Sequence, residues 1–120
     1  MNCSWGFAKP PSPIDQSVVD YCEENNVVVV ASSGNHGEDF PTAAWARLNY
    51  PAAYEGVIGV GETNAADYIE TGTGLGLNAD VLAPGRDAIT TSSGGGYSRQ
   101  GVQGSSFAAP QVTGMVGLIR

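Results

Sequence analysis

Val27-Val28-Val29-Val30-Ala31 constrains this chain more than any other stretch. Consecutive β-branched side chains stiffen an extended backbone and disfavour a helix. Successive side chains of a strand point to opposite faces, so a run with no polar alternation must be covered on both. That predicts a strand inside a parallel sheet with a layer on each side. The preceding residues agree. Ser12-Pro13 predicts a helix start, with Ser12 as N-cap, Pro13 at the first helical position and Asp15 in the first turn. Ile14, Val18, Tyr21 and Cys22 recur at helical spacing as one apolar face, and Asn25-Asn26 ends the helix. Met1 to Gly6 reads as a strand tail and Phe7 to Pro11 as a loop, which completes a right-handed βαβ unit.

Further on, Val57-Ile58-Gly59-Val60-Gly61 predicts a second short buried strand. Asp80 to Gly85 predicts a third, closed by a Pro-Gly turn, and Ala88 to Ser92 a fourth. Glu38 to Tyr54 is irregular, and Asn64 to Asn78 reads as surface loop. A closing helix is expected from about Ser106 to Arg120, with Pro110 in its first turn and Val112, Met115, Val116 and Ile119 as its apolar stripe. The expectation is one α/β domain over residues 1–120.

Charge narrows the function classes. Five Lys plus Arg against twelve Asp plus Glu give a formal net charge of −7, the reverse of a phosphate-binding face. Nucleic acid and anionic membrane surfaces are therefore disfavoured as partners. No apolar run approaches the roughly 20 residues of a membrane span, and no signal peptide is visible. Cys3 and Cys22 cannot make a zinc site alone, and their spacing is not that of a redox pair. They read as two buried thiols. No Gly-x-Gly-x-x-Gly or Walker loop follows a strand, which weakens a nucleotide-binding reading of the seventeen glycines.

The chemistry concentrates in Gln103-Gly104-Ser105-Ser106-Phe107-Ala108-Ala109-Pro110-Gln111-Val112-Thr113-Gly114. It sets a hydroxyl between a glycine turn and a helix N-terminus, where unpaired backbone N–H groups favour negative charge. Ser106 by itself could be an ordinary helix-start serine. The stretch, however, resembles the nucleophile segment of the subtilisin-like (subtilase, peptidase family S8) serine peptidases, Gly-Thr-Ser-Met-Ala-Xaa-Pro-His-Val-Ala-Gly. Ser105 stands where that pattern has threonine and Gln111 where it has histidine. The resemblance implies that Ser106 is the nucleophile, with Gly104 letting the substrate backbone approach it. It implies a three-layer subtilisin-like α/β fold with a mostly parallel sheet, present only in part.

The same resemblance extends to other segments. Val27 to Asn35 is similar to the valine-rich strand ending Ala-Xaa-Gly-Asn, which makes Asn35 the oxyanion-hole donor; otherwise Gly34-Asn35 is turn chemistry. Ser4-Trp5-Gly6 resembles a strand end that pairs with extended substrate, and Ser32-Ser33-Gly34 the facing wall of the specificity pocket. Trp5 by itself reads more often as core than as a contact, and its role stays open. Asn49-Tyr50-Pro51 resembles a Gly-Tyr-Pro pocket base, with Asn49 in place of glycine, so the pocket is expected to be narrowed or made polar.

Two motifs are missing. His36, the single histidine, follows Asn35 directly, whereas the family's histidine lies well upstream in His-Gly-Thr. The Asp-Thr/Ser-Gly aspartate motif does not occur either, and Asp80 and Asp87 fall in a region the family uses structurally. The resemblance therefore corresponds to the C-terminal half of a catalytic domain. It implies a serine endopeptidase whose full triad needs the N-terminal half, with a peptide or protein as partner. The other reading is an inactive remnant that keeps a peptide-binding cleft. No cofactor is assignable; calcium and secretion rest on the resemblance alone, and localisation is otherwise unknown.

Overall fold

The structure is a computed structural model that describes residues 1–35, 49–75, 78–99 and 101–119. It is an α/β arrangement around a parallel sheet. The sheet takes β1 (Asn2–Cys3), β3 (Val29–Ser32), β5 (Val57–Thr63) and β6 (Val81–Pro84) in the order β1-β3-β5-β6, every pair parallel. Two short antiparallel pairs lie outside it. β2 (Phe7–Ala8) pairs with β4 (Asn49–Tyr50), and β7 (Thr90–Thr91) pairs with β8 (Tyr97–Ser98). The helices are α1 (Pro13–Glu24) and α2 (Ser105–Ile119).

The valine run does what its pattern requires. Val29 and Ala31 pack with Cys3, Val19, Tyr50, Tyr54 and Val57 on the α1 side. Val30, fully buried, packs with Val60, Ala83, Ala108, Ala109 and Val112 on the α2 side. Adjacent residues of one strand thus serve two cores, and the sheet is the middle of three layers. Ser12 caps α1 as expected, its Oγ accepting from the Asp15 N–H at 3.3 Å, and Asn26 closes the helix with φ 59°.

Several expectations need correction. On α1 the buried residue is Val19, with Cys22 half-buried, while Ile14, Val18 and Tyr21 are exposed. Apolar spacing identifies a helix but not which part of its stripe this portion of the fold covers. On α2, likewise, Val112 is buried while Met115 and Ile119 are exposed. Residues 2–3 form the expected strand end, but residues 7–8, expected as loop, form a second strand. The stretch from Asn64 to Asn78 is not simply surface, because Thr73 and Asn78 are both buried and bonded into the interior. Of the two cysteines, Cys3 is buried and Cys22 half-buried, and both are free thiols.

Pro110 is the sixth residue of α2, not part of its first turn. A proline there has no N–H for the carbonyl four residues back, which is that of Ser106. The Ser106 carbonyl is instead taken by the Ser4 hydroxyl, which donates to it at 2.8 Å. The proline that looks like a helix fault frees the acceptor that joins α2 to the end of β1.

Candidate active site

Ser106 is the second residue of α2 and is half-buried. Gly104 delivers the chain to it with φ +133°, a conformation that suits glycine. A Cβ on Gly104 would lie 2.8 Å from Asn35 Nδ2, so the glycine also admits the asparagine amide. Ser106 is fastened to Ser4 in both directions. Its Oγ donates to the Ser4 carbonyl at 3.0 Å while its own carbonyl accepts from Ser4 Oγ. Asn2 Nδ2 donates to Ser4 Oγ at 3.0 Å, and Thr113 Oγ1 on α2 donates to Asn2 Oδ1 at 3.1 Å. A carbonyl accepts a hydrogen bond without taking the proton, so this contact holds the serine without activating it.

Asn35 follows the end of β3 and is exposed. Its Oδ1 accepts two hydrogen bonds from fully buried Ser105, one from the N–H and one from Oγ, both at 2.8 Å. A backbone N–H can only donate, so the oxygen end of the amide is pinned to Ser105 and the NH₂ end is turned toward Gly104. Ser105 Oγ also accepts from the Gly34 N–H at 3.2 Å. In the sequence Ser105 stands only in the place of the family's threonine; the structure makes it the clamp between α2 and the end of β3. Its position beside Ser106 is the one signal that could have pointed to it.

The expected cleft segments are brought together around Asn49. Its Nδ2 donates to the Ser32 carbonyl at 2.9 Å, and its N–H donates to Asn78 Oδ1 at 2.6 Å. The same side chain fills the space where Cβ atoms on Gly6 and Gly34 would go. Gly6 and Gly34 thus face each other across the Asn49 amide. Ser32 and Ser33 are buried at 2% and 1% exposure, so neither presents a side chain to solvent. Much of the backbone here is engaged, with the Ser33 N–H on the Val60 carbonyl and the Gly34 carbonyl on the Gly74 N–H, each at 2.9 Å. Trp5 is 55% exposed and tilts against Phe7 at a centroid distance of 6.0 Å. An apolar groove of about 350 Å³ on the α1 side includes Trp5, Phe7 and Tyr50 but neither Ser106 nor Asn35.

His36 lies outside the described residues. Among the described residues no group of three or more His, Cys, Asp or Glu is placed to hold a metal ion, and no helix is long and apolar enough to cross a membrane.

Comparison with known proteins agrees with the geometry. A model of the Subtilase family matches residues 1–120. The subtilisin of Bacillus pumilus is 36% identical over 104 residues, covering 87% of this chain and 36% of the relative. M-protease of Shouchella clausii (strain KSM-K16) is 32% identical, covering 99% of this chain and 29% of the relative. Among solved structures, the prenylagaramide maturation protease PagA superposes with a TM-score of 0.82 at 29% identity, covering 98% of this chain and 42% of that one. The self-cleaved protease domain of PatA gives 0.78 at 32% identity, covering 98% and 43%. The chain thus spans well under half the length of each of these relatives.

Proposed function

This chain belongs to the subtilase family, and from that premise we propose that it is the nucleophile- and oxyanion-bearing part of a serine endopeptidase catalytic domain. The observation that carries the reading is the Ser105 clamp, which sets the Asn35 amide beside the segment that presents Ser106. In the reaction, Ser106 Oγ attacks the scissile carbonyl, the C–N bond breaks and the amine leaves with a proton, and water then hydrolyses the acyl-enzyme to the acid and free Ser106. The NH₂ of Asn35 and the N–H of Ser106 stabilise the oxygen on which charge develops. A side-chain donor of this kind is worth about 10²–10³ in turnover, a magnitude measured in subtilisin, a member of the same family.

Ser106 needs a base to take its proton and an aspartate to orient that base. Residues 1–120 carry neither of the family's motifs for them, so this segment works with a partner segment that supplies both. In subtilisin, loss of the histidine alone costs about 10⁶ in turnover. Substrate is an extended peptide laid along Ser4-Trp5-Gly6, with its side chain entering between Gly6 and Gly34. Asn49 shortens that space and lines it with an amide, which favours a small residue at the cleaved position.

A fluorophosphonate probe tests the reading. Residues 1–120 alone should not label, whereas the full-length gene product carrying Asp-Thr/Ser-Gly and His-Gly-Thr motifs should label at Ser106, and not after Ser106→Ala. Strong labelling of residues 1–120 that disappears in His36→Ala would instead make His36 the base. The Ser106–Ser4 hydrogen bond favours a second reading, a peptide-binding remnant with an idle serine. Saturable peptide binding by a full-length product that never labels would select it.

A further inference from the structure

Glu62, on β5, is the largest fully buried side chain among the described residues, at 2% exposure, and no part of the proposed chemistry uses it. A carboxyl group is rarely buried without a specific partner, because leaving water costs it several kcal/mol unless it is hydrogen-bonded. Its partner is the nucleophile turn. Glu62 Oε2 accepts from the Gly104 N–H at 2.7 Å, and the Gly85 carbonyl shares the same N–H at 3.1 Å. Gly85 leaves room for this: a Cβ there would stand 2.5 Å from Glu62 Cβ and 2.9 Å from Oε2. The backbone of Glu62 is fixed as well. Its N–H donates to Thr73 Oγ1 at 2.9 Å, and its carbonyl accepts from the Glu70 N–H at 3.2 Å. The carboxylate is therefore a rigid post rising from the sheet to the residue that precedes Ser105.

From these contacts we infer that Glu62 is a positioning residue for the oxyanion site: by gripping the Gly104 N–H it fixes the Gln103–Gly104 peptide, which directly precedes the one whose N–H holds Asn35. Gly104 has wide backbone freedom and no side chain to anchor it, so a contact to its N–H is what can hold its φ of +133°. A negative group at the entrance of α2 is also favoured by the unpaired N–H groups of its first turn. The charged groups nearby are Glu70 and Arg86, which are paired with each other. Burial raises the Glu62 carboxyl above its usual value, and the Gly104 N–H and Arg86 oppose that rise.

The proposal rests on the peptidase reading for its consequence but can be tested apart from it. The experiment follows the Gly104 amide and the Asn35 side-chain NH₂ by nuclear magnetic resonance against pH in the full-length gene product. Both resonances should titrate together with the Glu62 carboxyl. In Glu62→Gln, which keeps the shape and an acceptor oxygen, the titration should vanish from both sites while the rest of the spectrum stays dispersed. Fluorophosphonate labelling of Ser106 in the same variant should slow by about tenfold, since a charged acceptor is exchanged for a neutral one. If the Asn35 NH₂ neither titrates with Glu62 nor moves in Glu62→Gln, the positioning role is overturned. If the coupling is present but the parent protein never labels, the positioning role stands and the peptidase reading fails. Glu62→Ala is the severe variant; Glu62→Gln decides the matter if Glu62→Ala does not fold.

Discussion

Replacing Ser105 by alanine removes one oxygen atom from a site with no solvent exposure. The lost atom makes two of the hydrogen bonds that join α2 to the end of β3. It donates to Asn35 Oδ1 at 2.8 Å and accepts from the Gly34 N–H at 3.2 Å. The Ser105 N–H to Asn35 contact survives, because it is backbone. Each lost bond contributes about 1 kcal/mol net, and a donor left without a partner costs about 1–3 kcal/mol if water does not reach it. Gly34 is only half-buried, so its N–H regains part of that from solvent. The expected loss is therefore about 2 kcal/mol, a sizeable share of the roughly 5–15 kcal/mol that holds a domain folded. Urea unfolding of the full-length gene product should show a lower midpoint with an unchanged slope. Ser105→Thr keeps the hydroxyl and should stay close to the parent. A Ser105→Ala midpoint indistinguishable from the parent would refute the Ser105 hydroxyl as a clamp between α2 and the end of β3.

Asn49→Gly removes the amide between Gly6 and Gly34 and should move the kcat/KM ratio toward aromatic residues at the cleaved position by about tenfold or more, measured on paired small and aromatic peptide substrates. An unchanged ratio would mean that the space beside Asn49 is not the specificity pocket. Gly104→Ala places a methyl group 2.8 Å from Asn35 Nδ2 at a backbone angle alanine rarely adopts, and should cost about 1–3 kcal/mol in chemical unfolding. The ion pair with Lys9 and the Tyr54 hydroxyl holds the Asp15 carboxyl below its usual value. That contribution is present above the unfolded pKa of Asp15 and is lost as pH falls through the lower folded value. Asp15→Asn should remove this part of the acid destabilisation, and because both groups are exposed, added salt should shrink the difference.

The core strands were legible because their signal is local. Val27 to Ala31 can be hidden only by covering both faces, and the structure covers Val29 and Val30 from opposite sides. Ser12-Pro13 is a start signal complete within four residues, and it sits where it was expected. Legibility failed where the deciding partner was remote in sequence. The apolar spacing on α1 marks a helix, but only the packing of Tyr50, Tyr54 and Val57 selects Val19 as the residue to bury. β2 and β4 stabilise each other across some forty intervening positions, so neither has a strand signal of its own.

The candidate site divides in the same way. Residue types in order along the chain determined which serine and which asparagine to examine, because Gly104-Ser105-Ser106 and Ser33-Gly34-Asn35 are contiguous patterns whose chemistry is readable as written. How those residues are held was decided only by tertiary structure. Ser105 reaches Asn35 across seventy positions, Ser4 reaches Ser106 across one hundred and two, and Glu62 reaches Gly104 across forty-two. A hydrogen bond depends on where two atoms meet in space, and spacing along a chain says nothing about that once the intervening residues have folded. Sequence could single out Ser106; the fold alone could show that a proline frees the carbonyl Ser4 holds, and that a buried carboxylate stands behind the turn.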